Sequence, residues 1–371
     1  MNSPPLIRKS AALVTAALIL AACGGNTDSG DAPEPAGGAP AGGDDTEQLE
    51  EGAVPPTGVE GGPEFDLSGT EVVATTSPPG AINMGTFFVY KRLEEWGADI
   101  ETVIVTTTSG VQTIMAGRAD IASQGSDEVV LGAAEGADMV AVGAPSTAMD
   151  YVLVATEDIE SVEALEGKTI GMSGPSGFDA LLSRFSLEDV GLSGNDVNFV
   201  QIGGSPDRAA ALLSGQVDAA TVFLEDWEEL SRKTDELRLV QYMAEIVPEF
   251  PATAYFGQAS FWEENPDLPL ALACANLQAN AWINSSEDEY VEYVLQVVPG
   301  ATEEAARAIY QGGQEVNMWP TNPDEVFSVD GLGGLVDAMV ETGDISEPVD
   351  PEQIADVSYL QEAADMGCNE L

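Results

Sequence analysis

Apolar positions recur along this chain at two alternating spacings. Glu71 to Thr75 reads as a strand, and after the Ser77-Pro78-Pro79-Gly80 turn the apolar residues return at helical intervals from Met84 to Trp96. Gly97 stops that helix, and Glu101 to Thr106 predicts the next strand. The alternation continues with Val111 to Ala116 as helix, Ala119 to Ala122 as strand, Glu128 to Ala134 as helix and Met139 to Ala144 as strand. A second series repeats it: Lys168 to Met172 as strand, Phe178 to Val190 as helix, Val197 to Ile202 as strand and Arg208 to Leu213 as helix. Strands separated by helices predict an α/β fold with parallel crossovers. Beyond Trp227 the spacing is mostly helical, over Leu268 to Trp282, Glu287 to Val298, Glu303 to Gly312, Asp330 to Thr342 and Pro351 to Gly367. Tyr151 to Ala155 and Thr253 to Gln258 are extended and bracket the second series, which predicts that they carry the chain between two domains.

One unit of the first series recurs in the second. Met115-Ala116-Gly117-Arg118-Ala119-Asp120-Ile121-Ala122-Ser123 parallels Leu213-Ser214-Gly215-Gln216-Val217-Asp218-Ala219-Ala220-Thr221, 98 residues later. In both, a helix ends on a glycine able to take the left-handed conformation, and an aspartate leads into a strand of small residues.

The N-terminal apolar run has a different meaning. Arg8 and Lys9 precede an apolar stretch from Ala11 to Ala22, and Leu20-Ala21-Ala22-Cys23-Gly24 closes it. Residues 1–22 therefore predict an export signal, and Cys23 the residue that carries a lipid anchor. The run is too short to cross about 30 Å of hydrocarbon as a membrane helix. Residues 23–65 follow as a linker rich in Gly, Pro, Ala, Asp and Glu with few large apolar residues, a composition that cannot fold on itself. A coil of about 40 residues spans roughly 35 Å, so the linker is expected to tether an anchored domain within reach of a membrane partner.

Charge narrows the setting. Twelve Lys and Arg stand against 64 Asp and Glu, a net charge of -52, and histidine is absent. Such a surface suits a salty, halophilic medium, where the screening length falls from about 10 Å at 0.1 M to about 3 Å at 1 M salt. Nucleic acid is excluded as a partner, since phosphate binding needs basic patches. With Cys23 acylated, Cys274 and Cys368 remain as a pair in an oxidising compartment, where a disulfide is expected. No metal site is predicted, because two distant thiols without histidine make too few good ligands.

The lipoprotein cysteine, the Ala116-Gly117-Arg118-Ala119-Asp120 segment, Leu165-Glu166-Gly167-Lys168-Thr169-Ile170-Gly171 and Ala211-Leu212-Leu213-Ser214-Gly215-Gln216-Val217-Asp218-Ala219 together resemble the solute-binding proteins of ABC importers. The branch they resemble serves nitrate, sulfonates, taurine and thiamine-precursor pyrimidines, and the resemblance runs from about Glu71 to Trp262. It implies a two-lobed periplasmic-binding-protein-like fold of type II, each lobe a mixed sheet flanked by helices. Residues 66–150 and 257–371 would form one lobe and 151–256 the other, closing on a small-molecule ligand by hinge motion. It also implies a monomer without cofactor, held near an ABC permease by the lipid anchor, so that tethering raises effective concentration.

Candidate ligand contacts fall in the loops that follow strands. Ser173, Ser176, Gly177 and Phe178 belong to a Gly-rich turn that opens a helix, where free amide hydrogens favour a polar acceptor. This turn lacks the Gly-Lys-Ser/Thr ending of a nucleotide loop. In the other lobe, Ser77, Gly80 and Ala81, and Ser123, Gln124 and Gly125, occupy loop positions where the family places ligand contacts. Glu225 stands where pyrimidine-binding relatives carry an acid, and Trp227 could stack on a flat ring. Tyr151 and Tyr255 are further aromatics near the predicted crossings. Glu225 and the aromatics favour a neutral or weakly basic flat ring over a strong anion.

The same fold also hosts enzymes, among them a pyrimidine synthase and a sulfinate-cleaving hydrolase. Those chemistries resemble ones run by histidine or a reactive cysteine, and neither is on offer here, so an enzyme is the second reading. A surface adhesion or sensor module would need the same fold.

Overall fold

The computed structural model describes residues 62–370, apart from 106–108, 148, 176 and 248–249. The predicted signal, Cys23, nearly all of the linker and Ser176 lie outside the described residues.

The strands form two five-stranded mixed sheets. The first contains β1 (Glu71–Thr76), β2 (Asp99–Ile104), β3 (Ile121–Gly125) and β4 (Met139–Gly143), and the second β5 (Tyr151–Thr156), β6 (Thr169–Met172), β7 (Asn198–Gln201), β8 (Ala219–Phe223) and β9 (Leu237–Tyr242). The chain then returns to the first sheet with β10 (Thr253–Gln258), giving the orders β2-β1-β3-β10-β4 and β7-β6-β8-β5-β9. In the first sheet β1 runs parallel to β2 and β3, with Glu71 opposite Asp99, while β10 is antiparallel to β3 and β4. The second sheet repeats this pattern, with β6 parallel to β7 and β8, and β5 antiparallel to β8 and β9. Thr253 to Gln258, read from the sequence as a crossing, is thus a full strand of the first sheet.

Helices α1 (Met84–Glu95), α2 (Gly110–Met115) and α3 (Ser126–Ala134) connect the first four strands. Helices α4 (Phe178–Asp189), α5 (Ser205–Leu213) and α6 (Leu224–Lys233) do the same in the second sheet, and α7 (Met243–Ile246) begins the return. The C-terminal part is helical: α8 (Ala259–Glu264), α9 (Leu268–Ser285), α10 (Glu287–Val297), α11 (Glu303–Glu315), α12 (Pro323–Val326), α13 (Val329–Glu341) and α14 (Ser358–Asp365). Among the described residues no helix is long and apolar enough to cross a membrane.

Helix α9 is apolar around most of its circumference and is buried against α1, α10 and α14. Cys274 in α9 and Cys368 beyond α14 lie side by side, their Cα atoms 5.1 Å apart, a spacing at which the expected pair can form. Strand β5 alternates as a two-faced strand should: Val152 and Val154 join a small core with Ala209, Leu212 and Val222, while Leu153 and Ala155 join the large one. That large core runs from the first sheet to Leu153, Ile170 and Met243 of the second, so the apolar interiors under the two sheets touch.

Candidate functional site

The duplicated unit builds the same strand-to-helix turn in both sheets. Asp120 and Asp218 each accept a hydrogen bond from the backbone N–H of a neighbouring strand, Val73 at 2.8 Å and Thr169 at 2.7 Å. One helical hydroxyl meets one strand hydroxyl in each copy: Thr86 with Ser123 at 3.1 Å, and Ser183 with Thr221 at 2.8 Å. The correspondence runs on past the strands into the first turns of α3 and α6, where Asp127 and Glu128 match Glu225 and Asp226, again 98 residues apart.

The two acids of each pair do different things. Glu128 accepts from the Ser109 hydroxyl at 2.9 Å and the Val111 N–H at 3.0 Å, and Asp226 accepts from the Ser205 hydroxyl, so the second acid secures the start of the preceding helix. The first acid has no such duty. Asp127 is 4% exposed and its Oδ1 has no hydrogen-bond partner among the described residues. Glu225 projects from the second sheet onto the loop after β1, so close that a side-chain carbon on Gly80 would lie 3.3 Å from its Oε1. Glycine at position 80 permits this approach.

Burial dominates the electrostatics. It pushes Glu225 up to about 7, with repulsion from Asp226 and then Asp150 adding to it. Asp150, just before β5, is also pushed up to about 7, by burial and then by Asp226. Asp127 is held well above the carboxylate range by burial, by Glu128 and by Asp179 of the opposite sheet. Asp179 accepts from the Ser173 N–H at 2.9 Å and lies 3.5 Å from the Nε of Arg208. Arg208 is 3% exposed and donates to the backbone oxygens of Thr221 at 2.8 Å and Gly203 at 2.6 Å, which satisfies it within its own sheet. A second cross-link lies away from this cluster, where Arg184 of α4 pairs with Asp344 beyond α13, both largely buried.

The predicted contacts are distributed unevenly around this centre. Tyr151 is half-buried, its ring 5.6 Å from Phe178 and 4.7 Å from Phe223, and burial, Asp150 and Asp179 raise its hydroxyl well above the tyrosine range. Ala81 is buried, and its carbonyl accepts from the Tyr290 hydroxyl at 2.7 Å. Gly80 donates to Asn83 Oδ1 at 2.8 Å, and Ser77 is exposed. Ser123 is buried in its bond to Thr86, Gln124 keeps its Oε1 buried without a partner, and Gly125 precedes α3 as its cap. Ser173 donates its hydroxyl to Asp179 at 2.5 Å, and Gly177 caps α4. Tyr255 is fully buried and donates to Thr86 at 3.4 Å, while Trp227 packs on the small core of the second sheet. Sequence reasoning passed over Asp127, Asp150, Asp179 and Arg208. Extending the repeat four residues beyond Ser123 and Thr221 would have paired Asp127 with Glu225.

Among the described residues no three metal-ligating side chains cluster. The arrangement offers desolvated carboxylates and a tyrosine between two sheets, suited to holding hydrogen-bond donors.

A family model described as NMT1/THI5 like matches residues 94–289, more than half of the chain. No curated protein matches the chain by sequence. Among solved structures, the aliphatic sulphonate binding protein SsuA of Escherichia coli is 18% identical, with a TM-score of 0.61 over 77% of this chain and 97% of its own. The nitrate-binding protein NrtA of Synechocystis PCC 6803 is 12% identical, with a TM-score of 0.66 over 80% and 88%. A DszB variant in complex with biphenyl-2-sulfinic acid is 17% identical, with a TM-score of 0.56 over 80% and 99%. These likenesses bear out the two-lobed α/β periplasmic-binding-protein fold.

Proposed function

The chain belongs to the NMT1/THI5-like family, and from that premise we propose that it is the extracytoplasmic solute-binding component of an ABC importer. Residues 66–150 and 253–371 form one lobe and 151–252 the other, the boundary expected at 256 being moved back because β10 pairs with β3 and β4 of the first sheet. A small solute is captured between them and delivered to a permease, with Cys23 as the lipid anchor and the linker as tether. The observation that carries this reading is the duplicated strand-to-helix unit, one copy in each sheet, with Glu225 of the second copy lying against Gly80 in the loop after β1 of the first sheet. Two connections join the sheets, between β4 and β5 and between β9 and β10, which is the layout of a hinge.

Among the solutes the family resemblance suggests, the carboxylates support a weakly basic ring over sulfonate or nitrate. Catalysis finds little support: the chain has no histidine and the Cys274 and Cys368 sulfur atoms lie at bonding distance. The test is a thermal-shift screen of pyrimidines, taurine, aliphatic sulfonates and nitrate in high salt, paired with small-angle scattering. A ligand at a hundred times its dissociation constant adds about 2.7 kcal/mol and should make the particle more compact. Binding that hydrolyses or otherwise alters the ligand would replace this reading with the enzymatic one.

A further inference from the structure

One of the C-terminal helices reaches across from the first sheet to the second. Helix α13 rides on the first sheet: it packs on α3, and the chain beyond it bonds β4, where Ala141 donates to the Ile354 carbonyl at 2.9 Å and accepts from the Asp356 N–H at 2.8 Å. Helix α4 belongs to the second sheet, connecting β6 to β7 and packing on β8. Contacts between the end of α13 and α4 therefore join the two halves outside the crossings.

Three such contacts lie side by side. Arg184 of α4 pairs with Asp344, and the two side chains are 15% and 11% exposed. The Phe250 ring, in the second crossing, is centred 5.9 Å from that of Phe185, and a side-chain carbon on Gly334 of α13 would lie 3.0 Å from it, so Phe250 is wedged between the two helices. Glu188, one turn beyond Arg184, faces Glu341 at the end of α13, and its Oε2 is buried without a partner among the described residues.

The charge pair is held from both sides. Gly343 takes positive φ after α13, which brings the Asp344 N–H onto the Met339 carbonyl at 2.8 Å, and the Thr342 hydroxyl donates to the second Asp344 oxygen at 2.5 Å. Arg184 also donates to the Pro175 carbonyl at 3.1 Å. Every other ion pair among the described residues stays within one half of the molecule.

Resting on the two-lobed solute-binding reading above, we propose that α4 and the end of α13 form a latch, in which Arg184 of one lobe clasps Asp344 of the other and must let go before a solute is admitted or released. The latched arrangement is the apposed one, in which Glu225 of the second sheet lies against Gly80 of the first. Opening rehydrates both charges, so the pair parts at modest cost, whereas removing one partner leaves the other uncompensated for as long as the lobes stay together. Glu188 and Glu341 act in the opposite sense, since apposition brings two like charges together across the same seam. Burial shields the pair from salt far more than a surface pair, so the latch works in a saline medium.

The experiment is a pulsed electron-spin distance measurement between labels at Glu135→Cys, after α3, and Asp235→Cys, after α6, both exposed and outside the seam. It uses the mature chain with Cys23→Ser, free of solute, in 2 M KCl. The parent should give one principal distance. Arg184→Met and the nearly isosteric Asp344→Asn should each add a longer one, the open fraction rising about tenfold or more. Exposed Glu341→Gln removes the repulsion and should keep the single parent distance. An unchanged distance in both Arg184→Met and Asp344→Asn overturns the latch, and so does a longer distance in Glu341→Gln, which would mean that any change to α13 loosens the lobes. Two distances already present in the parent, with the same weights in every variant, overturn the latch while leaving a hinged protein. The solute-binding reading is judged apart from these outcomes, by whether pyrimidines, taurine, ethanesulfonate or nitrate raise the melting temperature of the parent.

Discussion

Replacing Glu225 by glutamine removes a charge that the ligand-free protein holds at a cost, so the variant should be the more stable protein at neutral pH. The carboxyl is raised from 4.5 to about 7, chiefly by burial. A folded-state value above the unfolded one means the native state binds the extra proton. Stability from this group is therefore fully present below the unfolded value and is lost as pH rises through the folded one. That shift corresponds to a ceiling of roughly 3 kcal/mol at pH 8, since each pKa unit is about 1.4 kcal/mol. Opening of the lobes would rehydrate the carboxylate, so about 1–3 kcal/mol should be observed, or roughly 2–8 °C in melting temperature. The assay is thermal unfolding of wild type and variant from pH 4.5 to 8.5 at constant high salt. Near pH 4.5 the curves should coincide, because a neutral carboxyl and an amide are alike in size and charge. The difference between them should grow through pH 7 and then level off, with the many other carboxylates cancelling. A variant that is equally stable at pH 8, or less stable there, refutes the reasoning.

Reducing the Cys274–Cys368 link, or replacing both residues by alanine, should cost about 4–5 kcal/mol for a separation of 94 residues in the chain-entropy model, measured as a shift in urea midpoint with and without reductant. Arg184→Met leaves Asp344 largely buried without its cation and should destabilise the ligand-free protein by about 2–4 kcal/mol in chemical unfolding, an effect that 2 M salt does not abolish. A loss under about 0.5 kcal/mol would show the pair to be incidental. Gly257→Ala puts a carbon 2.8 Å from the Asp120 carbonyl oxygen and 3.0 Å from the Trp262 ring, and should cost about 1–3 kcal/mol, read as a lower melting temperature.

How much of this was legible in the chain depended on how local each cause is. The strand and helix spacing through Leu213 translated directly into β1 to β7 with their helices, because periodicity records which face is buried. The glycine and aspartate of the repeat were readable for the same reason: Gly117 and Gly215 sit at positive φ, and Asp120 and Asp218 bind the adjoining strands in matching ways. Strand β9 was missed, since Leu237 to Tyr242 mixes an arginine and a glutamine into its apolar positions. Glu225 was found by its place after the repeat, whereas Asp127 looked like any acid in the first turn of a helix, where a carboxylate also complements the dipole.

The sequence by itself determined the α/β class, the duplication and the strand-end loops as the place to look. Only the tertiary structure decided that β10 returns to the first sheet and that Trp227 packs on a core. It alone revealed that Asp127 is left without a partner while Glu128 is consumed by Ser109. The reason is physical: periodicity reports burial of a face, but whether a particular carboxylate is satisfied depends on groups distant along the chain that folding brings beside it.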